Sequence, residues 1–162
     1  MRFVGIDTST KTGFVALDEN GSLLEAKEIT GESNKDPERM VTLIDNIMNE
    51  IKPNDIIVIE NFGFSSRQGI MLGGIGWGLR MQLYREWIEY TDVAPAQLKK
   101  FATNKGNASK ESMILPIYKN WTFEHDSDNV RDAYVLAQMA RGLHGHGKLY
   151  EYQKEVLKKI GQ

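Results

Sequence analysis

Two short apolar runs each end in a single carboxylate. Phe3-Val4-Gly5-Ile6 leads into Asp7, and Ile56-Ile57-Val58-Ile59 leads into Glu60. Runs of this length form strands, and an unbroken β-branched run suits a strand covered on both faces of a sheet. The chain is thereby committed to a sheet with layers packed on either side. An ionised acid at the end of a buried strand is costly unless it is paired or binds a metal. Two further acids, Asp128 and Asp132, stand four residues apart at the head of a helical segment and share one face of it. Carboxylates arriving from three distant segments point to one divalent-cation site.

The order of elements follows from periodicity and turn chemistry. Arg2 to Thr8, Gly13 to Asp18 and Leu23 to Thr30 read as three consecutive antiparallel strands. Asp18-Glu19-Asn20-Gly21 marks the second connection, with Asn-Gly favouring a tight hairpin. Asp36-Pro37 reads as an N-cap followed by proline at the first helical position, ahead of Met40, Leu43, Ile44, Ile47, Met48 and Ile51 at helical spacing. Asp55 to Glu60 is the fourth strand. The glycine-rich stretch from Asn61 to Gly78 divides into a loop and a helix that ends near Glu89, carrying Leu72, Leu79, Leu83 and Trp87. Tyr90 to Val93 is a fifth strand, followed by helices over Pro95 to Phe101, Ser109 to about Tyr118, Ser127 or Asp128 onward, and Glu151 to Ile160. The expected fold class is α/β: a five-stranded mixed sheet, three antiparallel strands then parallel strands, with helices on both faces. Residues 1–162 read as a single domain, without repeats or a dividing linker.

Composition narrows the function classes. With no Cys, disulfides, thiolate zinc sites and cysteine nucleophiles are excluded. No apolar run approaches the roughly 18 residues of a membrane span, and a cytoplasmic protein is expected. The net charge of −2 is not that of a generally basic nucleic-acid binder, yet Ala94 to Lys110 holds Lys99, Lys100, Lys105 and Lys110 and no acid. All-oxygen ligands suit Mg²⁺ or Mn²⁺ rather than zinc. Two such ions about 3.5–4 Å apart support phosphodiester hydrolysis, and the lysine segment supplies cations for a polyanionic substrate. His125, His144 and His146 have no convincing ligand spacing with the acids.

Taken together, these residues resemble the RuvC-type Holliday junction resolvases of the ribonuclease H-like superfamily, in their short phage-like form. The resemblance runs from Phe3 to about Arg141. It rests on Gly5-Ile6-Asp7-Thr8-Ser9 with Thr12-Gly13, Val58-Ile59-Glu60, the glycine helix around Leu72-Gly73, and Asp132-Ala133-Tyr134-Val135. Its most specific piece is Pro95-Ala96-Gln97-Leu98-Lys99-Lys100 followed by Gly106-Asn107-Ala108-Ser109-Lys110-Glu111. The resemblance implies a homodimeric endonuclease that places paired nicks in four-way DNA junctions with two Mg²⁺ ions per site, Mn²⁺ being an alternative. Asp7, Glu60 and Asp132 are then metal ligands, with Asp128 or Asn129 the fourth. Lys99 and Lys110 serve at the scissile phosphate. Phe62, Phe64, Arg67, Lys100 and Lys105 join them in contacting DNA. The apolar helix from Leu72 to Trp87 is the expected dimer interface. The alternatives are a related nuclease for other branched DNA or RNA–DNA hybrids, and a non-catalytic junction-binding module. An ATPase half with a similar first hairpin needs a second lobe, for which the chain has no room.

Overall fold

The computed structural model describes residues 1–62 and 69–160. Strands β1 (Arg2–Asp7), β2 (Thr12–Leu17) and β3 (Leu23–Ile29) form an antiparallel meander. Helix α1 (Glu38–Glu50) leads to β4 (Asp55–Glu60), which lies parallel to β1. Helix α2 (Gly69–Arg85) leads to β5 (Tyr90–Val93), parallel to β4. Helices α3 (Pro95–Thr103), α4 (Lys110–Trp121), α5 (Asp128–Leu143) and α6 (Glu151–Leu157) complete the described chain. The strand order is β3-β2-β1-β4-β5, the expected mixed sheet.

Alternation along the strands sorts the side chains into two cores. Val4, Ile6, Phe14, Ile57 and Ile59 meet Leu43, Ile47 and Leu79 of α1 and α2 on one face. Phe3, Val15, Leu17, Val58 and Val93 meet Leu98, Phe101 and the buried side of α5 on the other. The hydrophobic runs are continuous because both faces are covered, as the sequence predicts.

Helix α5 lies unusually close to the sheet. A Cβ placed on Gly5 would stand 1.9 Å from the carbonyl oxygen of Ala133 and 2.5 Å from the nitrogen of Ala137. One placed on Gly13 would stand 2.0 Å from the carbonyl oxygen of Asn129. Only glycine permits this approach on β1 and β2, and alanines supply the facing surface of the helix. Ser127 caps α5, its hydroxyl accepting from the backbone N–H of Val130. This settles the start of the helix in favour of Ser127 as cap and Asp128 as first helical residue.

Three local expectations are corrected. Asp36 does not cap α1: Pro37 occupies the cap position without a side-chain hydrogen bond, and the Asp36 carboxylate instead takes the Arg39 guanidinium at 2.6 Å. The β2–β3 connection is not a two-residue hairpin, since Leu17 pairs with Leu23 beyond a register shift; the turn closes through Gly21 N–H donating to the carbonyl of Asp18. Helix α2 stops at Arg85, and Trp87 lies beyond it with φ +58° and 88% exposure.

Gly5→Ala and Gly13→Ala each force α5 off the sheet, so each is expected to destabilise the fold by about 1–3 kcal/mol. Chemical denaturation measures this directly. An unchanged midpoint for either variant would contradict the close approach.

Candidate active site

Strand parity brings the first two acids together. Asp7 shares a face with Phe3 and Gly5, and Glu60 shares one with Val58; both faces are the one covered by α5. The parallel register pairs Gly5 with Val58, so Asp7 and Glu60 end neighbouring strands at the same level. Asp132 descends from α5, next to the Ala133 that rests on Gly5. Carboxylate oxygens of Asp7, Glu60 and Asp132 all lie within 4.8 Å of one another. Asp7 and Asp132 are each only 7% exposed.

Burial and like-charge crowding disfavour the ionised forms. Desolvation, followed by the Glu60 charge, holds the Asp7 carboxyl well above its usual 3.8. Burial also raises Glu60, against the opposing pull of its hydrogen bond with Asp7. Burial and then the Asp7 charge push Asp132 from 3.8 up to about 7. Three buried oxygen donors that resist ionisation together, converging on one point, fit a hard divalent cation bound through carboxylates.

The other expected residues divide. Lys110, capped into place by Ser109 at the start of α4, makes an ion pair with Asp128 and lies 3.8 Å from Asp132. Asp128 is thus engaged by Lys110 and stands outside the three-carboxylate cluster. This pairing holds the Asp128 carboxyl below its usual value. Asn129 is also engaged: its Nδ2 donates to the Lys11 carbonyl at 2.8 Å and to Ser9 Oγ at 3.2 Å, clasping the β1–β2 turn. Lys99 and Phe62 line the same cleft as the three acids and Lys110, a space of about 280 Å³. Lys100 and Lys105 do not line it. Phe64 and Arg67 lie outside the described residues.

Arg80 escapes a reading of the sequence. It is 3% exposed and donates to Asp92 Oδ1 at 2.6 Å, to the Gly76 carbonyl at 3.0 Å and to the Glu60 carbonyl at 3.2 Å. Its guanidinium lies 4.7 Å from the centre of the Phe62 ring. Arg80 therefore ties the end of β4, at the Glu60 carbonyl, to Asp92 of β5. The available signal was a lone arginine within the otherwise apolar stretch Gly69 to Met81. Thr12, part of the motif around Asp7, is fully buried, donates to the Ser9 carbonyl at 2.7 Å and tightens the turn that follows Asp7.

The Asp132 carboxyl is raised on folding, so its favourable contribution is complete below about pH 3.8 and is lost as pH climbs through about 7. In metal-free buffer, Asp132→Asn is therefore expected to match wild type near pH 4 and to exceed its stability at pH 8 by about 1–4 kcal/mol. Urea denaturation across that range checks the sign. A variant less stable than wild type at pH 8 would contradict it.

No family profile matches the chain. A curated crossover junction endodeoxyribonuclease RuvC from Chlamydia trachomatis serovar A is 26% identical over 124 residues, covering 74% of this chain and 71% of that protein. The solved Thermus thermophilus RuvC structure superposes with a TM-score of 0.67 at 17% identity, over 93% of this chain and 100% of that one. T. thermophilus RuvC in complex with Holliday junction substrate gives 0.65 at 16% identity, over 85% and 90%. The sequence likeness to the curated RuvC spans most of the chain, and the chain has the fold of the solved T. thermophilus RuvC, a five-stranded mixed sheet flanked by helices.

Proposed function

We propose that this protein is a metal-dependent, structure-selective endonuclease that resolves four-way DNA junctions by paired symmetric nicks. The observation that carries this reading is the buried cluster of Asp7, Glu60 and Asp132 in a cleft that Lys99 and Lys110 also line. The likeness to a RuvC solved with a Holliday junction substrate supports the choice of branched DNA. The protein acts as a single domain, in the cytoplasm; among the described residues no helix is long and apolar enough to cross a membrane.

In this reading Asp7, Glu60 and Asp132 hold Mg²⁺ or Mn²⁺, and Asp128 joins them when Lys110 turns to a phosphate. Two bound ions supply an activated water and neutralise charge developing on the leaving oxygen. The chain's own residues do the rest. Lys110, half exposed at the mouth, and Lys99, whose charge already acts on Glu60, neutralise the scissile phosphate. Arg80 and Asp92 hold β4 so that Glu60 stays in place. Phe62, half-buried against Arg80 and 5.7 Å from the Trp77 ring, forms an aromatic wall on which a base stacks.

Paired nicks need two sites related by symmetry, which a closed dimer supplies. Helix α2 offers the face: Ile70, Trp77, Met81 and Tyr84 recur at helical spacing and are 95%, 58%, 52% and 77% exposed. The dimer forms there.

The test is cleavage of an immobile four-way junction in Mg²⁺. Wild type is expected to cut symmetrically, with Asp7→Asn and Glu60→Gln slower by at least about a hundredfold, the upper end of what outer partners of metal sites cost. Equal rates for wild type and Glu60→Gln would remove Glu60 from the mechanism. Cutting of an RNA–DNA hybrid but of no junction would overturn the resolvase reading. Size-exclusion with light scattering is expected to show a dimer at micromolar concentration, and a monomer would remove the α2 interface.

A further inference from the structure

The far end of α5 holds a buried cation whose hydrogen-bond partners are all neutral. Arg141 is 7% exposed. Its Nη1 donates to Gln138 Oε1 at 2.6 Å and its Nη2 to the Glu19 carbonyl at 2.9 Å. Gln138 in turn donates to the Tyr134 hydroxyl at 2.9 Å, so the guanidinium is fixed by a buried ladder along the helix. Every partner is neutral, and the buried Nε has no acceptor at all. The nearby acids hydrogen-bond elsewhere, though the Asp18 charge still acts on the guanidinium. Asp18 accepts from the backbone N–H of Ser22, and Glu19 pairs with the terminal ammonium at 3.0 Å. Burial holds the Arg141 pKa below its ordinary value despite the opposing Asp18 charge, so the charge is retained at a cost.

The surrounding chain is shaped to the guanidinium. A Cβ on Gly21 would stand 2.6 Å from Arg141 Nη1, and one on Gly147 would stand 3.5 Å from it. The loop after α5 returns over the arginine, with His146 N–H donating to the Arg141 carbonyl at 3.0 Å and the His146 ring 5.2 Å from Phe3. Arg141, His146 and Lys148, with Asn20 and Asn120, line a cleft of about 230 Å³. Every ionisable side chain lining it is basic or a histidine, and Asn20 adds a hydrogen-bond donor, while Asn120 Nδ2 donates to the Ala102 carbonyl at 3.3 Å. The cleft lies about 14 Å of helix rise from Asp132, at the opposite end of α5 from the carboxylate cluster.

We propose that this cleft binds a phosphate group, with Arg141 as its buried floor and His146 and Lys148 at its rim. A guanidinium held by neutral partners suits a tetrahedral oxyanion, and the rim side chains add donors without closing the entrance. The phosphate belongs either to a free anion or to a DNA backbone outside the nuclease cleft. The proposal does not depend on the activity of the carboxylate site.

Two titrations test it, using wild type, Lys148→Ala and His146→Ala, whose exposed or half-buried loop positions are expected to keep the fold intact, as circular dichroism checks. In the first, inorganic phosphate is added at constant ionic strength while NMR follows the Arg141 Nε–H and His146 ring signals. Saturable shifts are expected in wild type, with the dissociation constant raised about tenfold in Lys148→Ala, the loss of one charge-assisted hydrogen bond. In the second, binding of a four-way junction is measured against salt, and Lys148→Ala is expected to lower the salt slope by about one if a backbone phosphate sits there. A positive first titration alone identifies a free anion, and a positive second identifies DNA. No saturable shift in wild type together with an unchanged salt slope would overturn the site.

Discussion

The seating of α5 on β1 and β2 governs this molecule. The helix backbone rests on Gly5 and Gly13 with no side chain between. That approach sets the height of Asp132 above the sheet and so its distance from Asp7. It also buries nearly the whole of α5, which makes the helix the spine of one core. The carboxylate cluster at one end and the Arg141 ladder at the other are both properties of this single helix and its placement.

The same seating creates an electrostatic problem that defines the site. Three carboxylates in a buried space cannot all ionise without a cation among them. Lys110 offers partial relief from the rim, but it is shared with Asp128 and half exposed. Arg80, paired with Asp92, braces the Glu60 backbone through its carbonyl rather than through its carboxylate. Stability has been given up for a set of oxygen ligands that a small divalent cation would satisfy. Such an arrangement is expected where ligand geometry matters more than the strength of the fold.

Much of this was legible in the chain before its structure. Continuous apolar runs require covered faces, and the acids that end them, Asp7 and Glu60, pointed to one shared site. Helical spacing put Asp128 and Asp132 on one face of a helix. What stayed hidden depends on partners far apart in sequence. Asp92 looked like an ordinary strand residue until α2 brought Arg80 to it. Asp128 and Asp132 share a helix face, yet Lys110 draws one of them away. Local signals also misled where geometry overruled preference. Asp36-Pro37 has the composition of a helix start, but Arg39 claims the carboxylate. Asn20-Gly21 has that of a two-residue hairpin, but a register shift in β2 and β3 lengthens the loop.

The central claim is that Asp7, Glu60 and Asp132 together form a metal centre. Crystals grown with Mn²⁺ and measured for its anomalous scattering test this most directly. The account predicts a strong anomalous peak in contact with all three carboxylates, lost in Asp132→Asn crystals grown in the same way. A wild-type crystal with Mn²⁺ bound elsewhere and no peak among these three residues would contradict it.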